Sequence, residues 1–356
     1  MKFLIITYDE YINIPYIKNY EQAILNSGNT YDVILWNRRN IHNEYGSNFF
    51  EFSCSYGKSK FGKVIPFILW RRFVLNVIKK GNYDRLIVLT TIPAVLIANK
   101  LIHNFKGKFW LDIRDFTFEN IGIYKKIVGK LAKEASVCSI SSEAFKSFLP
   151  ESTSTELSHN VSNLEHRVSE CNLRPDKQQY NIGFVGGIRY PEQNKALISA
   201  LAGNAKYKLI YRGKVHKGCE LEAFCKKRRI SNVEFYPEYD NYMKPEIYKS
   251  IDLINSIYRD NSPVEKLALP NRLYDCILFK KPIIVSDGTF LAEQVKKYNL
   301  GLAVNLKQDD LVRKIDEYIA NFDKQEFEKG CNKFLDKALA ENSIYMNKVN
   351  LFCAGR

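Results

Sequence analysis

The sequence contains no Cys-x-x-Cys pair, no Gly-x-Gly-x-x-Gly after its first apolar run and no block of like charges. Each absence excludes something. The eight Cys, at 54, 138, 171, 219, 225, 276, 331 and 353, have no zinc-knuckle spacing, and the five His form no cluster. No metal site is therefore expected, and the thiols read as reduced, with Cys138 and Cys276 inside apolar runs. The missing glycine fingerprint argues against a dinucleotide oxidoreductase. The apolar start Met1–Thr7 stops at Tyr8-Asp9-Glu10, too short for a signal peptide. The stretch Val64–Ile78 is interrupted by Pro66, Arg71 and Arg72, whereas a membrane-spanning helix needs about 20 apolar residues. A cytoplasmic protein is expected.

What is present points to a folded enzyme. The chain has 356 residues, enough for two domains, with 46% hydrophobic, 26% charged and 13% aromatic residues. Its formal net charge of +14 favours phosphate-bearing ligands, anionic lipid surfaces or nucleic acid. A soluble enzyme with a solvated basic surface explains the charge equally well. The cations are diffuse and no nucleic-acid-reading motif accompanies them, so a nucleic-acid-binding protein is the weaker reading.

Short apolar runs alternate with amphipathic stretches, the pattern of parallel sheets wrapped by helices. The first half offers strands at Lys2–Thr7, Asp32–Trp36, Arg85–Thr90, Phe109–Ile113 and Ser136–Ser139, with helices at Ile17–Leu25 and Pro93–His103. The chain then turns polar from Pro150 to Gln179, which reads as a domain boundary. A second series follows, with strands at Asn181–Val185, Lys208–Tyr211, Val233–Tyr236, Leu253–Ser256, Pro282–Val285 and Gly301–Val304, and helices at Cys219–Arg229 and Leu291–Tyr298. The expected fold class is α/β, with two doubly wound Rossmann-like domains facing across a cleft. Their expected bounds are residues 1–170 and 178–335, with a terminal helix over 336–356 returning to the first domain. Ligands of such sheets bind beyond the carboxyl ends of the strands.

The most informative stretch runs from Leu269 through Pro270-Asn271-Arg272-Leu273-Tyr274-Asp275 to Lys281-Pro282-Ile283-Ile284. It reads as loop, short helix and strand, with Asn271 as N-cap or Pro270 in the first turn. Arg272 and the free amides of that turn make a diphosphate seat. Asp275, one turn on, can accept hydrogen bonds from sugar hydroxyls. A surface Arg272–Asp275 ion pair is the plainer alternative. Gly186-Gly187 permits close backbone approach, Arg189 reaches for a phosphate, and Arg212, Lys214 and Lys217 follow the next strand. Asp115 ends a strand where a carboxylate can orient or deprotonate an acceptor hydroxyl, unless it caps a helix or pairs with Arg114.

Pro270-Asn271-Arg272-Leu273-Tyr274-Asp275 followed by Lys281-Pro282-Ile283-Ile284 resembles the Pro-Asn-Lys-Leu-x-Glu … Gly-Lys-Pro-Val-Ile signature of GT-B glycosyltransferases of the family-four type, common in bacterial polysaccharide assembly. Asn181–Arg189 is similar to that family's opening strand and loop of the donor domain. Trp110–Asp115, Ser139–Phe145 and Ser158–Val161 are similar to segments of its acceptor domain, in the right order along nearly the whole chain. The resemblance implies a GT-B fold and a metal-independent sugar transferase acting on a nucleotide-sugar, UDP-linked most simply, with no cofactor. It implies a glycan or lipid-linked acceptor in capsule or exopolysaccharide synthesis. Peripheral association with an anionic membrane is expected from the cations described below, and no nucleic-acid partner from the diffuse spread of charge. In that family the acidic residue at the Asp275 position binds the donor ribose and the basic residue at the Arg272 position lies by the diphosphate. With the residue reading above, the catalytic candidate is Asp115 and the donor candidates are Gly186, Gly187, Arg189, Arg212, Lys217, Tyr236, Asn271, Arg272, Leu273 and Asp275. A nucleotide-sugar epimerase of the same architecture is the alternative. Two departures stand out: the family's two glutamates eight positions apart are here Leu267 and Asp275, with Glu265 out of register, and Tyr8-Asp9-Glu10 replaces the glycine-rich first loop. The cations at 58, 60, 63, 71, 72, 79 and 80, interleaved with Phe61 to Phe73, form a candidate face for anionic lipid, the alternative being a core helix with a solvated basic edge.

Overall fold

A computed structural model describes residues 1–38, 45–55, 60–161, 167–168, 170–259 and 262–356, with 60–63 described by backbone only. Lys58 and the side chains of Lys60, Phe61 and Lys63 thus lie outside the described residues. The chain divides into two compact units, Met1–His159 with Ala340–Arg356, and Asn160–Leu339.

The first unit runs β1 (Lys2–Ile6), α1 (Ile17–Asn26), β2 (Thr30–Asn37), β3 (Phe49–Ser53), α2 (Lys60–Gly81), β4 (Arg85–Leu89), α3 (Thr91–Leu96), α4 (Ala98–Asn104), β5 (Phe109–Ile113), α5 (Gly122–Glu134), β6 (Val137–Ile140) and β7 (Thr155–Leu157). Its seven strands pair in parallel in the order β3-β2-β1-β4-β5-β6-β7. Continuous apolar runs such as Leu86-Ile87-Val88-Leu89 are fully buried, as strands covered on both faces must be. One face buries Phe3, Ile5, Ile87 and Trp110 against Ile17, Tyr20 and Ile24 of α1 and against Tyr345, Val349 and Phe352. Each fully buried Leu, Ile or Val stabilises the fold by about 1.5–3 kcal/mol.

The second unit runs β8 (Tyr180–Val185), α6 (Pro191–Leu201), β9 (Tyr207–Arg212), α7 (Leu221–Arg228), β10 (Val233–Tyr236), α8 (Lys244–Lys249), β11 (Leu253–Ser256), α9 (Pro263–Leu267), α10 (Asn271–Phe279), β12 (Ile283–Ser286), α11 (Phe290–Lys297), β13 (Gly301–Val304) and α12 (Leu311–Ala320). Its six strands, again parallel, take the order β10-β9-β8-β11-β12-β13. The last helix, α13 (Lys324–Cys353), gives Phe327, Cys331 and Phe334 to the second core, and from Ala340 onward belongs to the first unit.

Three sequence expectations need correction. Edge strands β3 and β7 escaped the reading because they are short and half-exposed. The helix expected over Pro93–His103 is two helices broken at Ile97, where Arg71 of α2 donates to the Leu96 carbonyl at 2.8 Å. At the start of α10, Pro270 is extended (ψ 157°) and occupies the cap position, so Asn271 is the first helical residue and no side chain caps the turn.

Candidate functional site

In the second sheet the strand order reverses between β8 and β11, which leaves a crevice at their carboxyl ends. Arg272, projecting from the first turn of α10, fills that position. Its Nε donates to the Val185 carbonyl at 3.1 Å and its Nη1 to the Asn255 carbonyl at 3.1 Å. Its guanidinium lies 3.6 Å from the centre of the Phe184 ring. Rather than reaching freely toward an anion, Arg272 is buried and clamped to the ends of both strands. Stacking and two carbonyls fix its plane, so its charge is positioned before any ligand arrives.

Beneath it runs a polar network that the sequence did not reveal. Asn255 donates through Nδ2 to Asn194 Oδ1 at 3.1 Å, and Tyr211 donates to the same oxygen at 3.0 Å. Asn194 Nδ2 in turn donates to the carbonyls of Arg189 and Tyr190. Tyr190 sits at φ 60°, a left-handed conformation costly for a tyrosine, and Asn194 holds it there just ahead of α6. These contacts join residues 17 and 61 positions apart, a spacing that carries no sequence signal.

The loops around this point carry further cations. Gly186 (φ 117°) and Gly213 (φ 135°) cross so closely that a Cβ on Gly213 would lie 2.2 Å from the Gly186 carbonyl oxygen. That approach requires glycine. Half-buried Gly187 and exposed Arg189 follow; Arg189 Nε donates to His216 Nε2 at 3.1 Å. Burial, then the charges of Arg189 and Lys214, lowers the His216 pKa, leaving the ring neutral to accept that bond. Arg212 stacks over Tyr236 at 5.3 Å, and its Nε is buried without a hydrogen-bond partner among the described residues. Lys217 is exposed, as is Tyr236, whose hydroxyl donates to Glu234 at 2.7 Å.

Asp275 does not pair with Arg272. Both its oxygens accept from Lys244 Nζ, at 2.9 and 3.1 Å, and Oδ2 also accepts from the Tyr248 hydroxyl at 2.8 Å. Burial pushes the nearby Tyr239 phenol up to about 12, with Asp275 adding to the rise and Arg272 and Arg212 opposing it. Leu273, expected among the donor contacts, is fully buried in the core instead. Asn271 is exposed, and its Oδ1 accepts from Asn160 at 2.8 Å. On the other side Tyr190 and Tyr258 pack with rings 4.8 Å apart, Arg272 lies 5.1 Å from the Tyr258 ring, and buried Glu265 accepts from Arg259 at 3.0 Å. Five of the expected residues, Gly186, Gly187, Arg189, Arg212 and Arg272, therefore gather at the ends of β8, β9 and α10. The structure adds Asn194, Lys244, Tyr248 and Asn255.

In the first unit the reversal lies between β1 and β4. Asp115 follows β5 by two residues and is exposed. Arg114 is buried and bonded to Asp112 at 2.9 Å. Burial works against the Arg114 charge, yet Asp112 beside it raises its pKa. Close by, Tyr124 donates to Thr91, which donates to Glu119 at 2.7 Å. Thr90, at the end of β4, combines φ 73° and ψ 166° with a buried hydroxyl that has no partner among the described residues.

No protein-family model matches the sequence, and no curated protein does. Solved structures do match, 290 chains in all, and those described next cover nearly the whole chain. Sucrose-phosphate synthase from Thermosynechococcus elongatus superposes with a TM-score of 0.70 at 13% identity, covering 99% of this chain and 96% of its own. HepE from Anabaena, in complex with UDP and glucose, gives 0.66 at 14%, covering 98% and 99%. The lipopolysaccharide outer core galactosyltransferase WaaB gives 0.67 at 14%, covering 97% and 99%. The chain has the GT-B fold of glycosyltransferases. Within this GT-B chain the cations described above lie in the second unit, at the switch point where such sheets take ligands. Among the described residues no helix is long and apolar enough to cross a membrane, and no three His, Cys, Asp or Glu group as metal ligands.

Proposed function

We propose that this GT-B chain is a glycosyltransferase of cell-surface glycan synthesis. It takes a hexosyl or related sugar from a nucleoside diphosphate sugar, most simply UDP-linked, and passes it to a hydroxyl of a glycan or lipid-linked acceptor. The observation that carries the reading is Arg272, clamped at the switch point of the second sheet beside the uncapped first turn of α10. Arg212, whose buried Nε has no partner among the described residues, and Arg189 share that end of the sheet. The solved complex of HepE with UDP and glucose supports a uridine nucleotide.

In the proposed reaction the acceptor oxygen attacks the anomeric carbon as its proton passes to a carboxylate, for which exposed Asp115 is the candidate. The bond from that carbon to the diphosphate oxygen breaks, and its electron pair leaves on the nucleoside diphosphate. Fixed guanidinium and amide dipoles stabilise that growing charge without reorganisation, so no metal ion is required. Peripheral attachment to an anionic membrane through α2 belongs to the same proposal.

Thermal shift against UDP-, GDP-, CDP- and dTDP-sugars, with EDTA present, tests it. A ligand at about 100 times its Kd adds about 2.7 kcal/mol of stability. A UDP-sugar is expected to raise the Tm in EDTA. No shift with any of the four would contradict the nucleotide-sugar reading, and a shift only after Mg²⁺ is restored would contradict metal independence.

A further inference from the structure

The carboxylate of Asp275 sits where the resembling enzymes place a ribose-binding acid, yet it is already occupied. Three hydrogen bonds from Lys244 and Tyr248 reach its two oxygens, and it is buried. The Lys244 side chain is 14% exposed and that of Asp275 9%, so the lysine keeps slightly more access to solvent. Other cations lie nearby, because Arg272 and Arg212 act on Tyr239 as Asp275 does. A buried Lys–Asp pair is seldom more stable than well-packed apolar side chains of the same volume, so stability alone does not account for it.

The geometry points to Lys244 as a ligand-binding cation of the second unit, positioned by Asp275 and Tyr248, whose partner is the diphosphate of the nucleotide and not its ribose. This assignment rests on the nucleotide-sugar reading and goes beyond it. Asp275 becomes a positioning residue: it holds the ammonium in one place, while Tyr248 fixes the carboxylate from behind. The helix α8 that opens with Lys244 follows the loop after β10, so the amine belongs to the same end of the sheet as Arg272 and Arg212.

Ligands with and without phosphate separate the two roles. UDP binding to the full chain is measured by titration calorimetry and uridine binding by saturation-transfer difference NMR. With Lys244→Met, UDP affinity is expected to fall at least tenfold while the uridine signal is unchanged, and Lys244→Arg should restore most of the loss. Because Lys244→Met leaves Asp275 buried without its cation, the double variant Lys244→Met/Asp275→Asn serves where the single one fails to fold, with the same expectation. Unchanged UDP affinity in a folded variant, or UDP and uridine weakened in equal proportion, would overturn the assignment. Wild-type protein that binds no UDP would instead overturn the uridine-nucleotide reading on which it rests.

Discussion

Thr90 holds a backbone conformation that glycine adopts readily and a β-branched residue does not, with φ 73° and ψ 166°. Such strain costs roughly 1–3 kcal/mol, and its buried hydroxyl, with no partner among the described residues, adds to the cost. Thr90→Gly removes both and incurs about 0.5–1 kcal/mol of added chain entropy. The variant is therefore expected to raise the urea midpoint of unfolding. A lower midpoint would mean that the threonine's packing outweighs its strain. Single residues were also where the sequence was least legible. Arg272 announced itself through its motif, but the partners of Asp275 lie 27 and 31 positions away, on another helix. Nothing in a linear pattern says that a carboxylate is already engaged. Asn194 and Asn255 look like ordinary polar residues in sequence, and only their burial among Tyr211 and Arg272 gives them a role.

Helix α2 shows what an element adds. One face buries Trp70, Val74, Val77 and Ile78, while Val64, Ile65, Ile68 and Leu69 are 41–55% exposed. Apolar side chains as well as cations are thus exposed, more than the core helix with a solvated basic edge considered from the sequence would leave. Arg72, Lys79 and Lys80 are exposed on the same helix. Apolar side chains flanked by cations suit an anionic lipid surface, each cation contributing about 1 kcal/mol near the headgroups. The protein is expected to sediment with phosphatidylglycerol vesicles, not with phosphatidylcholine, and to be released by salt. Neutralising Arg72, Lys79 and Lys80 together with Ile65→Ser and Ile68→Ser should abolish sedimentation; sedimentation that survives these changes would exclude α2 as the contact. Elements in general were more legible than residues. The central strands Phe109–Ile113 and Leu253–Ser256, buried along their whole length, have the expected bounds, as does the largely buried edge strand Gly301–Val304. β3 and β7, half-exposed along their length and interrupted by Glu51 and Glu156, lack that signature.

Across the whole molecule, two parallel sheets each reverse strand order once, and the two reversal points differ in chemistry. The first is surrounded by Tyr124, Thr90, Thr91, Glu119 and Asp115, suited to hydroxyl groups. The second is surrounded by Arg189, Arg212, Lys244 and Arg272, suited to phosphate. The net charge of +14 is thus not merely a solvated surface, since part of it converges on one end of one sheet. At 13–14% identity the solved relatives share the fold alone, so the ligand has to be located on this chain. Hydrogen–deuterium exchange of the full-length protein with and without UDP does so most directly. Bound UDP should slow exchange at 186–190, 212–217, 237–243 and 268–272 and leave the first unit unchanged. Protection confined to the first unit, or protection nowhere at saturating UDP, would contradict a donor site at the β8–β11 switch point.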